Sequence, residues 1–201
     1  ASWWGLGRDY RNLAFIKLGI GVGCGLVIEN QVYRGAGGAA GEIGHITMAV
    51  DGPLCRCGNY GCLESFVSVP AILQQVVQQQ GYQPTPEPLT IEVVVARGLQ
   101  GDPVCRTVLV NAGTYLGIAT ANLLNLLNPE LVIISGAIAA AGDLLAGAMN
   151  AAIKTHTIAK AAQEAKIAFT LLDNNHVALG AATLALQAAL HPSNLLCTLQ
   201  G

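Results

Sequence analysis

The chain has 201 residues, 52% of them hydrophobic and only 11% charged, with a formal net charge of −2 and a pI near 6.1. Ordinary soluble domains carry roughly 25% charged residues, so this composition calls for extensive burial, part of it against chain beyond these residues. The ten Lys and Arg are scattered, which excludes a basic nucleic-acid footprint within this chain.

The length fits one domain or one large part of a two-lobed fold. The opening Ala1-Ser2-Trp3-Trp4-Gly5 lacks the basic segment and apolar run of a secretory signal. Residues 14–28 begin as an apolar run, pass through glycines and resume at Leu26-Val27-Ile28. With Glu29-Asn30-Gln31 as a turn and Val32-Tyr33-Arg34 returning, the pattern predicts a β-hairpin with a Gly-rich first arm. Residues 35–44, dominated by Gly and Ala, predict a close-packed loop, and 55–62 a compact irregular segment.

A helical pattern starts at Glu64 and extends through Gln80, with Leu73, Val76 and Val77 on one side and the glutamines solvated. Pro84, Pro86 and Pro88 make the next segment a loop. Residues 90–98 predict a short helix. Asp102-Pro103 signals the start of a long one, which should end at Asn128-Pro129. Residues 107–129 carry no charge but contain Asn111, Asn122, Asn125 and Asn128, so they read as a buried helix and not a membrane span. Leu131-Val132-Ile133-Ile134 predicts a fully buried strand. A small-residue turn at 136–142, a helix to about 153, a strand at 165–172 and an Ala-rich helix at 176–190 complete an α/β alternation.

The strongest chemical pattern is His45-x9-Cys55-x-Cys57-x4-Cys62. Cytoplasmic location is the default without a signal or span, and clustered cysteines there mean metal more often than disulfide. Three Cys and one His make a standard closed structural zinc site, with no open position for activating water. Cys55 and Cys57 are too close in sequence to bridge comfortably to each other; the alternative is three buried free thiols and an unrelated His. Cys24, Cys105 and Cys197 are read as packing residues.

Glu42 precedes His45 by three residues and Glu64 follows Cys62 by two, so short tethers tie both carboxylates to the same ion. Two fixed carboxylates and a His edge suit a polyhydroxylated ligand. The same positions also fit Glu64 as a helix N-terminal residue facing the macrodipole, with Glu42 a solvated loop charge.

Gly41-Glu42-Ile43-Gly44-His45 followed by Cys55-Arg56-Cys57-Gly58-Asn59-Tyr60-Gly61-Cys62-Leu63-Glu64 closely resembles the signature of the ROK family of bacterial sugar kinases and sugar-responsive repressors. The resemblance includes the loop at 19–25, Tyr33-Arg34-Gly35, Asn128-Pro129-Glu130 and Leu179-Gly180-Ala181-Ala182. It implies an α/β, actin-like (ribonuclease H-like) ATPase fold, of which residues 1–201 form a C-terminal part with an inserted zinc loop at 41–64. It also implies His45, Cys55, Cys57 and Cys62 as zinc ligands and Glu42, His45 and Glu64 as sugar contacts. Gly19, Gly21, Gly23 and Gly136 would be what remains of a phosphate and nucleotide site.

Departures from the kinase pattern are informative. The Asp-x-Gly-x-Thr loop and the Asn-Asp pair that supplies the general base are missing. Ile20 stands where a kinase usually has Thr, and Ala137 where it usually has a second Gly. The expectation is therefore a sugar or sugar-phosphate sensing domain of a ROK transcriptional regulator, cytoplasmic and homodimeric, away from any membrane. DNA would be reached only through a winged helix-turn-helix outside this chain. The competing expectation is the C-terminal lobe of an ATP-dependent, glucokinase-like enzyme.

Overall fold

The computed structural model describes residues 6–84, 86–171 and 182. Three strands open the chain: β1 (Leu13–Leu18), β2 (Val22–Ile28) and β3 (Gln31–Tyr33). Later come β4 (Leu131–Ser135) and β5 (Lys166–Thr170), and the five form one sheet in the order β3-β2-β1-β4-β5. The first three strands pair antiparallel, while β1–β4 and β4–β5 are parallel.

The predicted hairpin is thus a three-strand meander. Its supposed Gly-rich arm contains a turn of its own, with Leu18 opposite Val22 and the Gly19 N–H donating to the Gly21 carbonyl at 3.0 Å. Gly23 and Gly25 lie within β2 instead of in a loop. Between β2 and β3, Glu29 and Asn30 both take left-handed angles (φ 50° and 64°), the geometry of a type I′ turn whose twist matches its strands. Glu130 secures this corner by accepting the Arg11 and Asn12 N–H groups at 2.9 and 2.8 Å.

Helices α1 (Glu64–Val67), α2 (Val69–Gln78), α3 (Ile91–Leu99), α4 (Pro103–Leu127), α5 (Asp143–His156) and α6 (Ala159–Glu164) supply the other layer. The continuous helix expected from 64 to 80 is broken at Ser68, which is extended (ψ 155°) and caps α2 by accepting the Ala71 N–H. Pro70 is the reason: in an unbroken helix it would lack the N–H owed to Phe66 and its ring would clash one turn back. The Gln75 side chain serves the Phe66 carbonyl instead, at 2.9 Å. The break rotates the buried stripe to Ile72 and Val76, and Val77 is 55% exposed.

Elsewhere the caps act where expected. Thr90 accepts the Val93 N–H, Asp102 accepts the Cys105 N–H at 2.9 Å, and Asn128 stops α4 in a left-handed conformation (φ 44°). The α4 helix is long and apolar enough to cross a membrane by length and composition, but it is spent on the core. Leu109, Leu116 and Leu124 are buried in the same cluster as Leu145 and Met149 of α5. Gly113 and Gly117 allow the approach of the two helices: a Cβ on Gly117 would lie 2.5 Å from the Met149 carbonyl oxygen.

Every residue of β4 is buried. Val132 and Ile134 face the helices, and Leu131 and Ile133 face a smaller cluster with Leu13 and Val27. The small-residue turn after β4 forms a single 3-10 segment (Ala137–Ala141), α5 continues to His156, and α6 is an element the sequence reading did not include. The expected closing helix at 176–190, and Cys197, lie outside the described residues, residue 182 apart.

Candidate functional site

The site grows from the segment between β3 and α1. A single 3-10 turn, Ile43–His45, is docked on β2, where the missing side chain of Gly44 leaves room for the Val22 carbonyl. The chain then folds back on itself: Thr47 bridges Cys62 and Leu54 bridges Tyr60. Within the fold-back, the Cys55 N–H donates to the Asn59 carbonyl at 2.8 Å and the Gly61 N–H to the Pro53 carbonyl at 2.8 Å. Gly61 is required, because it adopts φ 66° and any Cβ there would collide with the Ala49 carbonyl.

This fold-back brings together all four residues singled out by spacing. One ligand atom from each of His45, Cys55, Cys57 and Cys62 lies within 4.8 Å of the others. Cys57 Sγ is 3.7 Å from Cys62 Sγ, and Cys55 Sγ is 3.7 Å from His45 Nδ1. Sulfurs held about 2.3 Å from a tetrahedral centre stand roughly 3.8 Å apart, close to these two separations, so the donor set could close on a tetrahedral metal ion.

The thiols influence one another's protonation. Burial raises Cys55, but hydrogen bonds from the Cys57 backbone and from the Cys57, His45 and Ser65 side chains outweigh it and bring the thiol down to about 7. Burial, followed by the neighbouring Cys57 and Cys55 sulfurs, pushes Cys62 up to about 12. The neighbouring Cys57 thus acts in opposite directions on Cys55 and Cys62. By contrast, burial alone drives Cys24 up to about 12, against a weaker backbone hydrogen bond from Phe15. Cys105 is likewise raised, first by burial. Both fit the expected packing role.

The three expected sugar contacts differ in surroundings. Glu42 is 64% exposed at its side chain, and its Oε2 lies 3.9 Å from His45 Nε2. That is too long for a hydrogen bond, but one ligand oxygen seated between the two would reach both. Glu64, only 6% exposed at its side chain, accepts the Val22 N–H at 2.9 Å. Arg56 also engages it, with Nε 2.5 Å from Oε1 and Nη2 3.1 Å from Oε2. The pairing of Arg56 with Glu64 was not legible in the sequence. Its one signal is position: a residue between two ligands two apart must direct its side chain away from the ion.

The glycines expected at a phosphate site are split. Gly19 and Gly21 form the β1–β2 turn, and Gly136 (φ 130°) packs where a Cβ would collide with the Leu18 carbonyl, so these three converge at the end of β1. Gly23 lies within β2 with open space where a side chain would be. Ile20, at the tip of the turn, is 78% exposed. The turn is held from below by the Val69 N–H, which donates to the Gly19 carbonyl at 2.8 Å.

Comparisons with known proteins bear on this geometry. The model of the ROK family matches residues 1–188. A xylose repressor of Caldicellulosiruptor bescii is 32% identical over 187 residues, covering 89% of this chain and 47% of the repressor. The crystal structure of a ROK family transcriptional regulator, a homologue of the E. coli MLC protein, superposes with a TM-score of 0.80 at 34% identity, over 86% of this chain and 45% of that one. A ROK family glucokinase from Streptomyces griseus, in complex with glucose and AMPPNP, gives 0.82 at 27% identity, over 92% and 64%. The chain therefore spans about half the length of that repressor and that regulator.

Proposed function

This chain belongs to the ROK family, and from that premise we propose that it is the effector-sensing part of a sugar-responsive transcriptional regulator. Its actin-like C-terminal lobe would bind a sugar or sugar phosphate at Glu42, His45 and Glu64. The observation that carries the reading is that one ligand set anchors all three contacts. His45 turns Nδ1 toward Cys55 and Nε2 toward Glu42, and Glu64 follows the ligand Cys62 by two residues.

The ion that best fits a Cys3His set is zinc, held by His45, Cys55, Cys57 and Cys62. Four protein ligands close its shell, so it supplies a cross-link and no chemistry on substrate. A metal held by Nδ1 would leave the ring proton on Nε2, where it could be donated to a ligand hydroxyl. The carboxylates of Glu42 and Glu64 accept from neighbouring hydroxyls, and the Val22 N–H keeps Glu64 in place. Sugar binding would bias the arrangement of lobes or subunits in a homodimer and so shift operator affinity. Operator contacts would come from a winged helix-turn-helix elsewhere in the whole, cytoplasmic protein.

The regulator reading is favoured over a kinase by Ile20, which puts an exposed butyl group at the turn where a family kinase places a hydroxyl, and by Ala137 beside Gly136. The repressor and regulator among the similar proteins support it. A glucokinase-like C-terminal lobe, with ATP near Gly21, Gly23 and Gly136, is the second reading; the glucokinase superposition favours it.

Calorimetric titration of the whole protein with sugars tests the site. Glu42→Gln and Glu64→Gln should each weaken binding at least tenfold, the value of a charge-assisted hydrogen bond. Unchanged affinity in both variants would remove these residues from the pocket. Sugar-dependent ATP turnover above background by the whole protein would replace the regulator reading with the kinase one.

A further inference from the structure

Arg56 is a side chain that neither the metal nor the sugar reading uses, yet it holds the carboxylate on which the sugar reading depends. Its guanidinium grips Glu64 through two nitrogens, at 2.5 and 3.1 Å, and the Val22 N–H takes a further position on Oε2 at 2.9 Å. Both carboxylate oxygens are thus engaged within the chain itself. The burial of the pair is lopsided: the Glu64 side chain is almost wholly enclosed, whereas that of Arg56 is 64% exposed. The guanidinium therefore stands between the carboxylate and solvent. It also lies against the β1–β2 turn, since a Cβ on Gly21 would collide with Nη2 and come within 2.8 Å of Glu64 Oε2.

We propose that Arg56 is an internal competitor for Glu64, occupying the donor positions that the hydroxyls of a neutral polyhydroxylated ligand take over when it binds. This rests on the assignment of Glu64 to the sugar pocket. The exchange swaps like for like: two guanidinium N–H donors leave and ligand O–H donors replace them, while the Val22 N–H bond persists and keeps the carboxylate aimed. A buried carboxylate stripped of donors is costly, so displacement rewards a ligand that brings two adjacent hydroxyls and penalises one that brings a single hydroxyl.

The backbone around Arg56 is pinned on both sides by Cys55 and Cys57, which leaves the side chain as the moving part. Because the guanidinium itself is largely exposed, it can swing into solvent when ligand hydroxyls replace it. The competitor lowers apparent affinity only by the fraction of time it is seated, about fivefold. The opposite role, in which Arg56 stays and pairs with an anionic ligand group, is disfavoured by the charges on the same segment: Glu42, Asp51 and Glu64 face one cation, Arg56.

The test uses the zinc-loaded whole protein, with glucose, xylose and their phosphates as probes. Arg56→Ala should bind a neutral sugar about fivefold more tightly than the unaltered protein, and Arg56→Lys, which keeps the charge but loses the fork, should fall between. If Arg56→Ala fails to retain zinc or to melt cooperatively, Arg56→Lys decides alone. Equal or weaker binding of neutral sugar by the folded variant overturns the proposal, and weaker binding confined to the phosphates assigns Arg56 to anion recognition instead.

A ligand-free measurement separates this from failure of the sugar reading. The Arg56 Nε–H resonance should be slowed in exchange by Glu64 and lose that protection in Glu64→Gln. A protected resonance with no sugar bound by any variant overturns the sugar reading and the competition with it, while leaving the ion pair established. An unprotected resonance overturns the competition whatever the sugar data show.

Discussion

Replacing Cys57 by Ser would remove one sulfur from the proposed four-ligand set and leave the covalent backbone unchanged. Cys57 is the exposed member of the cluster, whereas Cys55 and Cys62 are buried, so the substitution opens no core cavity and its effect reads the metal directly. A structural zinc site contributes about 10–16 kcal/mol of apparent binding free energy near neutral pH, and one ligand of four carries about 3 kcal/mol of it, or roughly a hundredfold in affinity. What remains to hold the fold-back is the Thr47–Cys62 and Leu54–Tyr60 bridges, a few backbone hydrogen bonds, and the docking of its two ends through Ile43, Leu63 and the Glu64–Val22 bond. Residues 47–61, between those docked ends, should therefore lose amide protection while β1, β4 and α4 keep theirs. The assay is zinc content after a chelator challenge, paired with hydrogen exchange and with Cys24→Ser as the control that keeps its metal. One equivalent of zinc retained by Cys57→Ser under the same challenge would refute the ligand set.

Further outcomes can be checked on the same preparations. With the metal-free Cys55 thiol at about 7 and Cys62 at about 12, metal must displace the Cys62 proton throughout that range and the Cys55 proton as well below pH 7. Zinc affinity should rise about tenfold per pH unit or more above 7 and more steeply below it, measured by competition with a buffered chelator; a flat profile would be inconsistent with these thiols as ligands. Asp102→Ala should destabilise the fold by about 1 kcal/mol through loss of the α4 cap. Its carboxyl is held below the usual range first by the Cys105 N–H and then by Arg97, so this contribution is complete above pH ~4 and fades as pH falls through the lower folded value. Urea melts at pH 7 and in acid should show the gap between the two proteins closing. Gly117→Ala should cost about 1–3 kcal/mol by forcing α4 from α5, whereas Gly147→Ala, on the open face of α5 with nothing within 4 Å, should stabilise by up to about 1 kcal/mol. Thermal melts that ranked the two glycines equally would contradict the close helix approach.

The parts of this molecule that could be read from the sequence are those governed by neighbours along the chain. Asp102-Pro103 and Asn128-Pro129 bracketed α4 because caps and proline sterics act within a turn, and the spacing of His45, Cys55, Cys57 and Cys62 announced their convergence. Pro70 could have been read in the same way; its effect was masked by the apolar periodicity on either side, which looked continuous from 64 to 80. Gly23 and Gly25 misled for a different reason: glycine usually signals a loop, but β2 tolerates them because its partners β1 and β3 supply the pairing. The engagement of Glu64 by Arg56 and by the Val22 N–H spans separations of 8 and 42 residues. It depends on how the metal loop docks against the β1–β2 turn, which no local rule encodes.

The placement of Glu64 two residues beyond Cys62 has a mechanical consequence. A helix advances about 100° per residue, and α1 is only four residues long, too short to fix its own rotation. An ion holding Cys62 would join the buried Phe66 and Val67 and the Val22 N–H in setting the azimuth of the first turn and, with it, the bearing of the Glu64 carboxylate. Ions of different preferred coordination would aim that carboxylate differently. In the proposed pocket the identity of the metal would thus act on ligand selectivity as well as brace the loop, and cobalt in place of zinc would report occupancy through its visible spectrum.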